Sequence, residues 1–383
     1  MYKVGLIGTG MSGVRFIRAI NYLNETKKIF QLVGVYDKKN EDHLNLNEFN
    51  IKVHHSFEEF AQSDDYDLII VATNESSHYD ILCKLKTYMK DIKKIVIEKP
   101  LTETLEQSKQ VAELYDDDII IVHYLERCSE VISDIKNYII ENSLTVRRMM
   151  FSWGKNRVYD GRPTTGVTSE LVHPLDLCLY LADLFEAKVN VISGNYIRSD
   201  YSVSGKDILD SVDISILADD VMISGSSSFV WPNRRRELTL YLTDKSNELW
   251  MIFMYFDQQR WDIDGYTIYK FDSNGNRIEV KKHQTDNNCT PQTICMTKIV
   301  TFLECVASEL SFGKSEQVQL PHIRQSLQIQ KIITDIDSSS SLSAINQIFD
   351  CDKKNINKYD SRPILYIQSL KNQQYDEICD KGY

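Results

Sequence analysis

Residues 2–13 read YKVGLIGTGMSG, and this stretch decides the fold. Val4–Ile7 is a short apolar run that ends on a glycine, after which Phe16, Ile17, Ile20 and Leu23 recur at helical spacing. The passage therefore reads as a strand, a tight turn and a helix. The turn, Gly8-Thr9-Gly10-Met11-Ser12-Gly13, has the G-x-G-x-x-G pattern. Gly8 permits the tight turn, Gly10 lets a pyrophosphate approach the backbone, and Gly13 lets helix and strand pack closely. Met11 and Ser12 open the helix, whose N–H groups and dipole favour an anion. Alone the motif is weak. Here a strand precedes it, a helix follows it, and Asp37 stands 24 residues beyond Gly13 at the end of the next strand, Leu32–Tyr36. A carboxylate at that place accepts hydrogen bonds from an adenine ribose and repels a 2′-phosphate, which favours NAD. Lys38 and Lys39 follow directly. They either hold such a phosphate or form a solvated pair at a strand end, so NADP stays open.

Working outward, strand and helix patterns alternate as far as residue 122. Strands are expected at Lys52–His54, Leu68–Ala72, Ile95–Ile97 and Ile119–Val122, and helices from about Ser77 to Met89 and Thr102 to Tyr115. Ser56 with Glu59 makes a capping box for a short helix. Strands separated by helices imply parallel pairing through right-handed crossovers, hence an α/β doubly wound sheet of the Rossmann type. Beyond it come a helix near Glu130–Glu141, a strand at Val146–Trp153 and a helix at Leu175–Phe185. From Val189 to about Lys282 the text is mostly strand, and two helices follow near Pro291–Glu309 and Ile323–Ile336. This is an α+β pattern with a large, mostly antiparallel open sheet. With roughly 150 residues per domain as a guide, the expected division is a dinucleotide domain over 1–122, an α+β substrate and oligomerisation domain over 123–345, and a C-terminal tail over 346–383.

The 383 residues are 42% hydrophobic and 26% charged, an ordinary globular composition that excludes a disordered or collagenous chain. Lys+Arg is 44 and Asp+Glu is 55, so the net charge of −11 argues against general binding to nucleic acid or anionic membrane. No apolar run reaches about 18 residues, and the N-terminus lacks the pattern of a signal peptide. The eight cysteines form no C-x-x-C pair, and His54-His55 has no further ligand at metal spacing. Reduced thiols, a cytoplasmic location and no bound metal are expected.

Two constellations carry chemistry. Glu98-Lys99-Pro100 ends a parallel strand, and proline keeps Lys99 extended. Lys99 is thus delivered to the carboxyl end of the sheet, where open α/β sheets bind ligands. The other is Glu170-Leu171-Val172-His173-Pro174-Leu175-Asp176. Pro174 suits the first position of a helix, which puts His173 at its mouth and Asp176 in its first turn. An imidazole there suits proton exchange near neutral pH, while the simpler alternative is that His173 and Asp176 cap the helix. Trp153, Lys155, Arg157 and Arg162 precede this motif and either line a polar pocket or serve as core and surface. Arg234-Arg235-Arg236 is either a phosphate contact or a strand edge.

Taken together, the GTGMSG loop, Ala72-Thr73-Asn74 with His78, the EKP of Glu98–Pro100 and the H-x-x-D of His173 and Asp176 resemble the glucose–fructose oxidoreductase/inositol dehydrogenase/MocA family. The resemblance is strongest over 1–185. It implies hydride transfer between a bound nicotinamide and a secondary alcohol or ketone of a sugar, cyclitol or nucleotide-sugar. Carried over by motif, Lys99 is the catalytic lysine, His173 the proton donor or acceptor, and Asp176 an orienting acid. Thr73, Asn74, His78 and Glu98 lie near the cofactor. Tyr124–Arg127 matches a segment that faces cofactor and substrate, making Arg127 a substrate candidate beside Trp153, Arg157, Arg162 and Glu170. Two positions depart from the family pattern: Asn74 stands where a proline is common, and Ser169 where an acid often precedes the histidine by four residues, with Glu170 one place later. These departures keep open a reductase of an imine or conjugated system, and a non-catalytic dinucleotide-binding regulator. The family further implies a homodimer or homotetramer.

Overall fold

Strand β1 (Tyr2–Ile7) is buried over its last four residues, and helix α1 (Met11–Lys27) buries Val14, Phe16, Ile17, Ala19, Ile20 and Leu23 and packs on the strand that follows it. In this computed structural model the described residues are 1–38, 51–63, 65–157, 166–198, 209–257, 262–285, 296–339 and 341–344. Lys39, Arg162 and the tail beyond residue 344 lie outside them.

The chain continues with β2 (Phe30–Tyr36), β3 (Lys52–His54), α2 (Phe57–Ser63), β4 (Leu68–Val71), α3 (His78–Tyr88), β5 (Lys94–Glu98), α4 (Leu105–Leu114) and β6 (Ile120–His123). β4 and β6 are buried at every residue, as strands covered on both faces must be. Helix α4 starts on a capping box in which Thr104 and Gln107 exchange side-chain and backbone hydrogen bonds. The sheet order is β3-β2-β1-β4-β5-β6 with every pair parallel. The order reverses between β1 and β4, and ligands of such sheets bind outside the carboxyl ends of the strands at that point.

Next come α5 (Glu130–Glu141), β7 (Thr145–Asn156), α6 (Thr168–Leu181) and seven strands. These are β8 (Val189–Arg198), β9 (Leu209–Ala218), β10 (Val221–Ser228), β11 (Val230–Thr243), β12 (Leu249–Tyr255), β13 (Gly265–Phe271) and β14 (Arg277–Gln284). Helices α7 (Thr297–Phe312) and α8 (Ile323–Ser339) and strand β15 (Ser341–Ala344) complete the described chain. The second sheet has the order β14-β13-β12-β11-β7-β10-β9-β8-β15. Only β7 with β10 and β8 with β15 pair parallel. Its strands alternate as a half-buried sheet should. Met149, Phe151, Leu238, Leu240, Ile252, Met254 and Ile268 form the core face, while Met150 is 42% exposed on the other.

Two compact units result. Among the described residues, one joins those of 1–128 with 296–327, and the other joins those of 129–285 with those of 328–344. In the first, α7 packs on α1 and on the turn at Leu125–Cys128. Lys298 on α7 donates to buried Glu126 at 2.6 Å, and Glu309 lies 3.6 Å from buried Lys94 of β5.

Helix α6 differs from expectation. It begins at Thr168, six residues before Pro174, so the proline is interior and His173 is not at the helix mouth. The first turn closes on Gly166 and Val167, whose carbonyls accept from Ser169 and from Glu170 and Leu171. An interior proline removes one rung of the ladder at a cost of about 3 kcal/mol. Burial of the helix on almost every side, from Ser169 to Leu181, offsets it. The capping alternative for His173 and Asp176 is therefore corrected: both are helix-interior residues.

The tightest approach in the first unit is between turn and helix. A Cβ added at Gly13 would lie 2.1 Å from the Gly8 carbonyl oxygen. Gly13→Ala must push α1 off the Gly8 turn, and it is expected to lower unfolding stability by about 1–3 kcal/mol, read from the denaturant midpoint.

Candidate functional site

The glycine turn stands at the carboxyl end of β1. Gly8 has φ +95°, a left-handed conformation that favours glycine, and its N–H donates to the Tyr36 carbonyl at 2.8 Å. Gly10 differs from its neighbours: it is exposed, and a Cβ there would meet nothing within 4 Å. As the N-cap of α1 it offers no side-chain acceptor, and the first turn holds no acid. The leading amides and the positive end of the dipole are therefore left to a ligand. Asp37, just beyond β2, turns one carboxylate oxygen onto the loop, where it accepts from the Thr9 N–H at 2.8 Å and the Thr9 hydroxyl at 3.0 Å. An open cradle above a helix N-terminus, flanked by a carboxylate, fits a dinucleotide.

Glu98 closes β5 beside this cradle. Its Oε1 accepts from the Ser12 hydroxyl and from His123 Nδ1, the latter at 3.0 Å. Burial alone would raise the Glu98 pKa, but the His123 imidazole, the Ser12 hydroxyl and the Lys99 ammonium outweigh it and hold the carboxyl down to about 2. Glu98 is thus a carboxylate at neutral pH. Lys99 follows it, part-buried, with a cis peptide to Pro100. Sequence reasoning missed His123. Its signal was positional, because Glu98 and His123 are register partners at the ends of neighbouring parallel strands.

Other expected residues do different work. His78 is fully buried, with Nδ1 2.9 Å from the Pro100 carbonyl and Nε2 3.3 Å from that of Thr73. Burial depresses its pKa, and a neutral ring has one N–H to donate, which the shorter contact assigns to the Pro100 carbonyl and so to the loop after β5. Thr73 accepts from the Ser77 hydroxyl at 2.9 Å, and Asn74 is exposed at the start of a short 3-10 turn. Arg127 is fully buried and donates to the Gln319 carbonyl at 3.1 Å and to Gln325 at 2.8 Å. These contacts make it a clamp on the returning segment.

In the second unit, His173 and Asp176 lie one turn apart on α6, 8% and 1% exposed. The His173 ring stacks on Trp153 of β7 at 6.1 Å with 25° between planes. The Arg236 guanidinium lies over the same indole at 5.3 Å. Glu170, a turn before His173, is fully buried and held through both oxygens. Lys155 donates to one at 2.5 Å and Arg236 to the other at 3.1 Å, while Arg236 also pairs with buried Asp257. Glu170 therefore anchors an ionic network. Strand alternation splits the three-arginine run: Arg236 turns into the core and Arg235 outward to Glu237 at 2.8 Å. The run is thus no single phosphate clamp. Arg157 lies 4.8 Å from the Phe229 ring centroid and Lys155 5.4 Å from it.

Among the described residues, no helix is long and apolar enough to cross a membrane. The family model for an oxidoreductase family with NAD-binding Rossmann fold, Gfo/Idh/MocA, matches residues 2–124. Sequence comparison with curated proteins gives no match. Among solved structures, levoglucosan dehydrogenase in complex with NADH and levoglucosan is similar at TM-score 0.70 and 17% identity, over 88% of this chain and 96% of that one. KijD10, a 3-ketoreductase from Actinomadura kijaniata in complex with NADP and TDP-benzene, reaches 0.67 at 10% identity, over 90% and 99%. The transcriptional regulator Gal80p from Kluyveromyces lactis reaches 0.69 at 15% identity, over 88% and 89%. At such identities the likeness is one of fold, and this fold serves dehydrogenases, a reductase and a regulator alike. Residues 2–124, the N-terminal domain of the chain, thus match the Gfo/Idh/MocA oxidoreductase family model and form the Rossmann fold that it describes.

Proposed function

We propose that the protein is an NAD(P)-dependent oxidoreductase acting on a secondary alcohol or ketone of a sugar, cyclitol or nucleotide-sugar. The observation that carries this reading is the gathering of Gly8, Asp37, Thr73 and Glu98-Lys99 at the carboxyl ends of four adjacent parallel strands. The NADH complex of levoglucosan dehydrogenase and the NADP complex of a ketoreductase on the same fold support the substrate class. Bound nicotinamide supplies hydride donor and acceptor chemistry. The chain's own residues do the rest. Lys99 stabilises negative charge developing on the reacting oxygen. His173 takes the hydroxyl proton during oxidation and returns it during reduction. Asp176, one turn along α6, orients the imidazole.

A second reading has its own support. Glu170 is committed to Lys155 and Arg236, and Ser169 replaces the family's usual acid. The proton path is therefore shorter than in a polyol dehydrogenase of the common pattern. A reductase of an imine or conjugated system needs less of that path. A dinucleotide-binding regulator, the role named for Gal80p, needs none. We further propose that a second copy of the chain covers the outer face of the large sheet, where exposed Met150 and part-exposed Phe253 both pair with Thr239 of β11 and Met251 lies two residues along on the same face.

Turnover of a sugar, cyclitol and nucleotide-sugar panel is expected to fall at least about 100-fold in Lys99→Ala and in His173→Ala. Full activity in both variants overturns the mechanism. Binding of NADH with no hydride exchange to any alcohol, ketone or imine supports the regulator instead. Asp37→Ala is expected to weaken NAD binding about tenfold and to narrow the preference over NADP, measured by titrating both reduced forms. Sedimentation velocity is expected to give a dimer or tetramer that Phe253→Lys dissociates.

A further inference from the structure

His123 belongs to no motif, and the mechanism does not use it. Yet it is 3% exposed at the carboxyl end of β6, and its ring is clamped between two aromatic side chains. Phe16, one turn beyond Ser12 on α1, lies 4.8 Å away by ring centroid, and Phe302 of α7 lies 4.6 Å away. With both neighbours in place the imidazole cannot turn, and Nδ1 stays aimed at Glu98. Nε2 is buried and meets no hydrogen-bond partner among the described residues. The polar business of the ring is therefore all at Nδ1. Whatever charge the ring carries, Nδ1 must bear a proton, since it faces a carboxylate oxygen at 3.0 Å.

That oxygen, Oε1, is the one on which the Ser12 hydroxyl rests. Ser12 is the second residue of α1, at the mouth of the open cradle. We infer that His123 is a positioning residue for dinucleotide binding: its Nδ1–H fixes the Glu98 carboxylate, which holds Ser12 and with it the first turn of α1 in the geometry that receives the phosphates. The inference rests on the dinucleotide reading of the cradle. Without the imidazole donor, a part-buried carboxylate loses its strongest partner and swings toward Lys99 or water. Ser12 and the leading amides of the helix then lose their anchor, and affinity falls although every cradle residue is present.

Two substitutions separate positioning from packing. His123→Phe keeps the aromatic sandwich and removes the donor. His123→Asn keeps an N–H donor near Nδ1 and removes the sandwich. In fluorescence titrations of the full chain with NADH and NADPH, His123→Phe is expected to bind about tenfold more weakly than wild type. His123→Asn is expected to recover most of that loss, even with a lower melting temperature. The opposite order, with phenylalanine near wild type and asparagine impaired, makes the residue mere packing and overturns the inference. Ser12→Ala added to His123→Phe is expected to cost no more than either alone; additive losses also overturn it. Should neither His123 variant fold, ¹⁵N histidine spectra of wild type decide, because an unprotonated Nδ1 is incompatible with the proposed contact. Wild type that binds neither NADH nor NADPH removes the dinucleotide reading itself, a result distinct from wild-type binding with a reversed variant order.

Discussion

The whole first unit depends on one close approach, the N-terminus of a helix laid against the carbonyl that ends the first strand. Only hydrogen fits between Gly13 and the Gly8 oxygen. Because the helix comes so near, its free amides reach the edge of the sheet, and side chains from β2, β4 and β5 reach the same edge without long loops. The same economy explains the fixed character of the neighbouring groups. Thr9 is tied to Asp37, Ser12 to Glu98, and Glu98 to His123. The first joins the glycine turn to the end of β2, and the other two run from α1 through β5 to β6, so the polar rim of the sheet is held by two sets of contacts.

Buried charge is handled in both units by pairing. Glu98 keeps its negative charge because donors surround it, and Glu170 sits between a lysine and an arginine. Breaking such an arrangement from one side costs far more than the pair contributes, because a charge is left behind in a poorly solvated place. What these contacts fix is the position of the groups they join. In the first unit they hold backbone amides still. In the second they hold Trp153, against which His173 lies.

Much of this was legible in the sequence. The cradle and Asp37 could be read because their constraints are local: a glycine for a positive φ, a glycine for close packing, an acid at a strand end. The parallel strands could be read because burial on both faces leaves unbroken apolar runs, as in Leu68–Val71. The start of α6 could not, since a helix buried on nearly every side has no stripe, and Pro174 imitates a beginning. The fate of Glu170 was hidden for another reason. Its partners come from β7 and β11, and Arg236 reaches it only because the sheet register sets Arg236 beside Trp153. The return of 296–327 to the first unit has no local signal at all.

That return has a consequence for the order in which the molecule is made. A ribosome delivers the six parallel strands long before it delivers α7, so the newborn first unit waits with one flank open. Until then Phe302 cannot close over His123, and Glu126 stands without the lysine that neutralises it. The intervening stretch 129–287 supplies most of the other unit in the meantime, but the rest of that unit, from residue 328 onward, follows α7. Synthesis therefore passes through a stage in which neither unit is finished, and a chain cut before residue 296 ends at that stage.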